Sequence, residues 1–236
     1  MTSIRQTAPL SLTIIAAIGL SACSKSAPPT PDAAVQSAVK RTGASETFST
    51  IVNSKGDISR PTDYATNPDW VHIGSWSVVN AEAKVDGMHN VYTTRDVVAE
   101  YAATGAFPDG AVLVKEVAGV DHAQLSTGNA HWSGEPAVWF VSVKDASGRF
   151  ADNPLWGEGW GWALFKADAP MTQVATDYRA DCLGCHLPAA ESDHMYVYAY
   201  PPLGPKARAF APASAPQAGD AAGESTGEMG DTQRMR

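Results

Sequence analysis

Hydrophobic and polar residues alternate along several short stretches in the middle of the chain, which is the pattern of strands with one buried face. These stretches are rich in β-branched and aromatic residues, and turn residues separate them. The six predicted strands cover residues 69–79, 89–94, 111–117, 138–143, 161–165 and 195–200. The pattern therefore predicts a mainly β domain built on an antiparallel sheet.

Two or three short helices complete the predicted fold. Residues 95–104 predict a helix, because Thr94 is a suitable N-cap, Asp96 lies in the first turn and Gly105 marks the end. Residues 172–180 are moderately helical and lead into a pair of cysteines near the C-terminal end. The predicted fold class is thus α+β, with the sheet dominant and a helix carrying the cysteines.

The N-terminus predicts a lipoprotein signal peptide over residues 1–22. Arg5 supplies the positive end, and the apolar run of residues 10–20 is shorter than the roughly 20 residues that span a bilayer. Residues 20–23 (LSAC) resemble the bacterial lipobox, which predicts cleavage before Cys23 and acylation of that cysteine. Ordinary secretion with a chance cysteine is the alternative. Acyl chains would anchor the protein in the cell envelope on the periplasmic side, where we expect the outer membrane.

Composition divides the remaining chain into three parts. Residues 23–45 are rich in Ala, Pro and Ser and predict a flexible tether, and residues 204–236 predict a disordered tail. Residues 46–203 form one predicted domain, which holds nearly all the aromatic residues. The net charge is −8 and no dense Lys/Arg block is present, so we expect no nucleic acid partner.

The chemistry lies in the motif Cys182-Leu-Gly-Cys185-His186, the attachment signature of c-type haem. Two thiols on one helical turn reach the two vinyl groups of a haem, and the adjacent His186 presents its imidazole to the iron. A zinc site would need two further ligands, and a redox disulfide would normally precede a helix in a βαβ unit. The chain has three cysteines, and Cys23 is assigned to lipid. The sequence therefore predicts one covalently bound haem c with His186 as iron ligand.

The motif stands near the end of the predicted domain, whereas small electron-transfer cytochromes carry it near the mature N-terminus. Met195 is the only methionine that follows it inside the domain, and nine residues are a short reach to the other haem face. Four-helix cytochromes c′ also carry a late motif, but the predicted strands argue against that fold. We therefore expect an iron whose sixth position is open or weakly filled.

Taken together, the segments of the domain resemble the cytochrome P-460 family over about residues 60–203. The matched segments, in chain order, are D-W at 69–70, V-Y at 91–92, T-G-x-F-x-D-G at 104–110, V-x-V-K-E at 112–116, V-K-D at 143–145, R-F at 149–150, C-x-x-C-H at 182–186 and Y-P at 200–201. The resemblance implies a β-rich homodimer with one haem per subunit and an open distal site. The best-known members oxidise hydroxylamine, and the β-type cytochromes c′ are gas-binding relatives.

The resemblance also implies that Lys115 is the lysine whose nitrogen is joined to a haem meso carbon in the best-known members. On a strand, Lys115 shares one face with Leu113 and Val117, while Glu116 faces the other way. A lysine on an apolar strand face either points into a pocket or lies at an edge with its ammonium in water. The pattern alone favours the edge, and the resemblance favours contact with the haem.

Two positions depart from the hydroxylamine-oxidising members. Those members have an arginine about where His89 stands, and a distal carboxylate that falls on Phe140. A carboxylate would accept protons as hydroxylamine is oxidised, and Phe140 cannot. A phenylalanine instead predicts a dry, crowded pocket that suits the gas-binding relatives. His89 or His131 is a candidate proton shuttle, because imidazole titrates near neutrality, or else a structural histidine.

Three functions follow from these residues. The first is oxidation of hydroxylamine or a similar small nitrogen compound, with Lys115, His89 and Phe140 at the reaction site and a periplasmic redox partner as electron acceptor. The second is a nitric oxide-binding protein without enzyme activity. The third is simple electron transfer, which needs a strong sixth iron ligand. Four tryptophans are expected in the core or a dimer interface, namely Trp139, Trp156, Trp160 and Trp162.

Overall fold

A computed structural model describes residues 44–78, 82 and 85–212. The predicted signal peptide, Cys23 and nearly all of the tether lie outside these residues. The described strands form one six-stranded antiparallel sheet in the order β1-β2-β3-β4-β6-β5. Their bounds are Trp70–Val78 (β1), Gly87–Thr94 (β2), Val112–Leu125 (β3), Gly128–Lys144 (β4), Trp156–Gly157 (β5) and Trp160–Lys166 (β6). The predicted mainly β, α+β fold is confirmed.

Both faces of the sheet are covered. Directly paired residues share a face, so the register places Val91, Lys115, Phe140 and Leu164 on one side. That side packs against helix α2 (Arg95–Thr104) and the segment after residue 178. The opposite side packs against helix α1 (Ala44–Ile51) and the chain that follows it. Adjacent residues of one strand therefore belong to two different cores.

Glu116 lies on the face opposite Lys115, where it forms a buried polar group with Tyr64 and Trp139. Its carboxylate accepts a hydrogen bond from the phenol of Tyr64. The indole Nε1 of Trp139 donates to the same phenol oxygen at 2.7 Å. Burial and the Glu116 carboxylate raise the pKa of Tyr64, so the phenol keeps its proton. This group fixes β3 and β4 to the N-terminal segment.

Helix α2 spans the predicted residues 95–104. Val97 and Tyr101 are its buried residues. Gly105 ends the helix in the left-handed conformation at φ 84°, and its N–H donates to the carbonyl of Tyr101. Thr94 stands at the N-cap, but its side chain makes no capping hydrogen bond.

The predicted strand over residues 195–200 is wrong. The chain instead forms two 3₁₀ turns, Val197–Ala199 and Pro201–Leu203. Val197, Tyr200 and Leu203 are all buried, and their spacing of three residues matches the period of a 3₁₀ helix rather than that of a strand. The alternation of aromatic residues in this stretch misled the prediction.

The predicted helix over residues 172–180 begins later than expected. A π-helical turn covers Arg179–Leu183, and helix α3 follows it at Gly184–His186. The carboxylate of Asp181 accepts the backbone N–H of Thr176 at 2.7 Å and that of Asp177 at 3.2 Å. These bonds hold the preceding backbone in a non-helical conformation.

The predicted tail also needs correction at its start. Helix α4 covers Pro205–Arg208, and its Ala207 is fully buried against the core. Proline at the first helical position favours this turn. The ordered chain thus passes the predicted boundary at 203, and residues 213–236 lie outside the described residues. Within the described ranges, no helix is long and apolar enough to cross a membrane.

Strands β3 and β4 extend well beyond their predicted ends as a hairpin that turns between Leu125 and Gly128. Most side chains of this extension are exposed, Trp132 among them. With neither face of the hairpin buried, its sequence carries no hydrophobic alternation that would predict strands.

Replacing Gly74 with alanine is expected to lower the free energy of unfolding by about 1–3 kcal/mol. Gly74 follows a bulge in β1, and a Cβ there would overlap the backbone carbonyl of Ala199 and lie 3.1 Å from the Tyr200 ring. Urea unfolding followed by tryptophan fluorescence measures the change. Gly119→Ala is the control, because a Cβ there meets none of the described atoms within 4 Å. Equal midpoints for the two variants would contradict the prediction.

Candidate haem site

A cavity of about 800 Å³ separates the Lys115 face of the sheet from the C-terminal segment. It is within the size range of cofactor sites. The sheet contributes one wall, and the segment after residue 178 contributes the other. The lining residues include Trp76, His89, Lys115, Phe140, Ser142 and Trp162 on the sheet, and Cys182, Cys185, His186, Tyr196, Tyr198 and Tyr200 on the segment.

The two cysteines lie on consecutive helical turns at the cavity. Cys182 ends up buried and Cys185 exposed, and neither forms a disulfide within the described residues. The π-helical turn that carries Cys182 is a local irregularity often found at functional sites. The hydroxyl of Tyr196 donates to the carbonyl of Cys185 at 2.6 Å and ties the motif to the following segment. Both thiols are thus available for bonds to a cofactor.

His186 is oriented by two contacts. Its Nδ1 lies 2.6 Å from the carbonyl oxygen of His194, and since a carbonyl only accepts, Nδ1 carries the proton. The Trp162 ring packs edge-on against the imidazole, with the ring centroids 4.7 Å apart. Burial lowers the pKa of His186 to about 4, so the imidazole is neutral at physiological pH. A neutral ring with Nδ1 bonded to a carbonyl leaves the Nε2 lone pair for a metal.

Lys115 is brought to the same cavity, on the sheet wall. Its Nζ lies 4.3 Å from the ring centroid of Phe140, its direct neighbour on β4. Burial lowers the pKa of Lys115 to about 8, although the cysteine thiols oppose that shift. Near neutral pH, a larger share of this amine is therefore uncharged than in an ordinary lysine, and an uncharged amine is a nucleophile.

His89 also lines the cavity and is almost fully buried. Its Nε2 donates to the carbonyl of Val85 at 3.1 Å. Its Nδ1 then carries the lone pair, and it is buried without a hydrogen-bond partner among the described residues. Burial, followed by the charge of Lys115, lowers the pKa of His89 and keeps the ring neutral. His89 is therefore a proton acceptor, not a cation, at this wall.

His131 lies elsewhere. It is exposed on the β3–β4 hairpin opposite His122, with the ring centroids 5.8 Å apart. It is absent from the described residues that line the cavity. The structure thus brings together the cysteines, His186, Lys115, Phe140 and His89, and it leaves His131 out.

The sequence did not predict two of the residues that line the cavity. Trp162 was expected only in the core or a dimer interface, yet it is both buried and in contact with His186. Ser142 lies directly opposite Trp162 in the register and lines the same wall. Both share a face with Phe140 by the two-residue strand period. That period would have found Ser142, but the register that adds Trp162 is not visible in the sequence.

The described residues fit a haem. Two free thiols, a neutral imidazole with an available Nε2 and a largely apolar cavity are what the group requires. The family model for cytochrome P460 matches residues 61–197, more than half of the chain, from before β1 to beyond the C-x-x-C-H motif. No curated protein matched the sequence. The chain therefore belongs to the cytochrome P460 family, whose members are haem cytochromes acting on small nitrogen compounds.

Proposed function

We propose that this chain is a lipid-anchored c-type cytochrome with one haem, which oxidises hydroxylamine or binds nitric oxide at an open iron site. The observation that supports this most directly is the meeting of Cys182, Cys185, His186 and Lys115 around one cavity. In this proposal the two thiols form thioethers with the haem vinyl groups, and Nε2 of His186 binds the iron. The haem supplies an iron that coordinates a small ligand and exchanges electrons.

The open site is supported by the position of Met195. Its side chain is 3% exposed and belongs to the core cluster on the Lys115 side of the sheet. It is not among the described residues that line the cavity. Simple electron transfer would need a strong sixth ligand to the iron, and Met195 does not supply one from the cavity wall.

His89 is the proposed proton acceptor for hydroxylamine oxidation. Losing electrons makes the bound nitrogen compound acidic, so a base within reach accelerates the reaction. His89 is neutral and lines the cavity, and its Nδ1 has no hydrogen-bond partner within the described part of the chain. It offers this chain a base that does not depend on the carboxylate replaced by Phe140.

Nitric oxide binding without turnover is the second candidate, and Phe140 favours it. An aromatic ring at the cavity wall makes the site apolar and restricts its volume, which suits a small uncharged diatomic. The same restriction predicts tight nitric oxide binding and weak carbon monoxide binding.

Turnover and gas affinity separate the two candidates. The purified, haem-loaded protein is mixed with hydroxylamine and an artificial electron acceptor, and its turnover is compared with that of free haem. We expect turnover well above free haem, and a rate no higher than free haem would remove the enzyme. Equal affinity for nitric oxide and carbon monoxide would remove the gas-binding candidate.

The haem attachment sites give a second distinction, in which Lys115→Arg serves as control. After proteolysis, haem on both the Cys182–His186 peptide and the Lys115 peptide is expected for the hydroxylamine-oxidising type. Arginine stays charged near neutral pH and cannot act as a nucleophile, so Lys115→Arg should leave haem on the Cys182–His186 peptide alone. Mass spectrometry of the haem peptides measures this. Haem on the first peptide alone in the wild type would favour the gas-binding candidate.

The remaining parts of the proposal concern the surroundings of the protein. We propose acylation at Cys23, a position in the outer membrane facing the periplasm, a periplasmic redox partner and a homodimer. Fatty-acid labelling that is lost in Cys23→Ser tests the anchor. Light scattering of the haem domain tests the dimer, and a monomer at micromolar concentration would refute it.

A further inference from the structure

The backbone next to His186 adopts a conformation that most residues avoid. Among the described residues, the non-glycine residues with positive φ are Glu158, Asp193 and His194, at 55°, 59° and 61°. They lie together, since Nε2 of His194 is 3.8 Å from a carboxylate oxygen of Glu158. Side chains disfavour this region, and it persists only where surrounding contacts enforce it.

Two residues of the sheet hold Asp193 in this left-handed conformation. The ammonium of Lys144 lies 2.7 Å from its carboxylate. The indole Nε1 of Trp160 donates to its backbone carbonyl at 3.0 Å. Lys144 and Trp160 face each other in the register of β4 and β6, and the ammonium lies 4.9 Å from the indole centroid. The side chains of Lys144 and Asp193 are 13% and 36% exposed, so water weakens this partly buried ion pair less than it weakens a fully exposed one.

His194, the residue after Asp193, makes the contact with His186. The carbonyl of His194 is the acceptor for Nδ1 of His186, at 2.6 Å. Its direction depends on the backbone angles of Asp193 and His194, because these angles orient the peptide that follows. Lys144 and Trp160 are thus connected to His186 through the left-handed turn at Asp193 and His194.

We propose that Lys144 and Asp193 are positioning residues that hold the His194 carbonyl on His186 and thereby set the reduction potential of the haem iron. This inference rests on the proposed function, since it requires a haem bound by His186. Hydrogen bonding at Nδ1 makes an imidazole a stronger electron donor, which favours the ferric state. Ligand basicity is one of the means by which a protein tunes haem potential.

Breaking the pair should therefore raise the potential. Losing the hydrogen bond to the far nitrogen of a metal-binding histidine typically alters a metal site about tenfold or more. A tenfold loss of ferric preference corresponds to an upward shift of ~59 mV for a one-electron couple. We expect a shift of this size in both Asp193→Asn and Lys144→Met. Asparagine tolerates the left-handed conformation, so the backbone of the first variant is not newly strained.

The experiment measures the midpoint potential of each haem-loaded protein by spectroelectrochemistry. Haem content is determined first. Asp57→Asn is the matched control, because its carboxylate accepts a hydrogen bond from the side-chain amide of Asn53 at 2.8 Å, and neither residue lines the cavity. The double variant Asp193→Asn/Lys144→Met completes a cycle that reports whether the two residues act as one unit.

The proposal is supported if both single variants rise, the double variant rises no further than the larger single shift, and the control stays at the wild-type value. It is overturned if the two variants match the control, or if their shifts simply add. A wild-type protein that contains no covalent haem would overturn the proposed function as well. Loaded wild type with unchanged variant potentials would overturn the positioning role alone.

Discussion

Replacing Cys182 and Cys185 together with serine is expected to give a protein without covalently bound haem. A hydroxyl does not add to a haem vinyl group as a thiol does, so neither thioether would form. The remaining His186 bond is reversible, and denaturation removes its hold on the haem. The measurement is the intact mass of the denatured protein, together with haem staining on a denaturing gel.

The matched control is Cys23→Ser, which removes the cysteine assigned to lipid and keeps the motif. It should lose the acyl mass and keep the haem mass. Each single variant, Cys182→Ser or Cys185→Ser, retains one thiol at the cavity and should keep a smaller amount of covalent haem. Full haem mass in the double variant would refute thioether attachment by this motif.

Introducing a carboxylate in Phe140→Glu is expected to raise hydroxylamine turnover by about 10²-fold, the lower end of what a well-placed general base contributes. Phe140 lines the cavity, and its ring centroid is 4.3 Å from the ammonium of Lys115. A glutamate carboxyl ordinarily has a pKa of about 4.3, so Glu at this position would be ionised and ready to accept a proton near neutral pH.

Phe140→Gln is the control for this variant. Glutamine has the same length and loses the same aromatic packing, but its amide is not a base at neutral pH. Steady-state turnover with an artificial acceptor is measured for both variants after their haem contents are shown to be equal. If the Glu and Gln variants turn over at the same rate, the cavity wall at residue 140 is not where the proton leaves.

Much of this fold follows from local sequence. Helix α2 could be placed to the residue because its Gly105 end signal acts locally. The central strands were recognisable because each has a buried face, and their alternation records it. The same alternation wrongly predicted a strand over residues 195–200, because packing of Val197 and Tyr200 against the core overrides the alternation. Local rules hold where burial follows one simple period.

The candidate site was only partly visible in the sequence. Cys182, Cys185 and His186 lie within five residues of the chain, and their spacing alone predicts haem attachment. Trp162 and the His194 carbonyl come to His186 through tertiary contacts. A backbone acceptor has no residue type to reveal it, and the pairing of β4 with β6 is set by long-range packing. The contacts that orient His186 therefore could not be predicted from the sequence and became visible only in the folded chain.

The buried polar group around Glu116 has a consequence for assembly. A slip of β3 by one residue would exchange Lys115 and Glu116 between the two cores and place an acid beside the cysteines. The slip would also leave the Tyr64 phenol, which now donates to Glu116, without that acceptor. Misregistered chains would thus lose a buried bond before any cofactor arrives. The Tyr64–Glu116 hydrogen bond, on the opposite face of the sheet, therefore favours the register in which Lys115 faces the haem cavity.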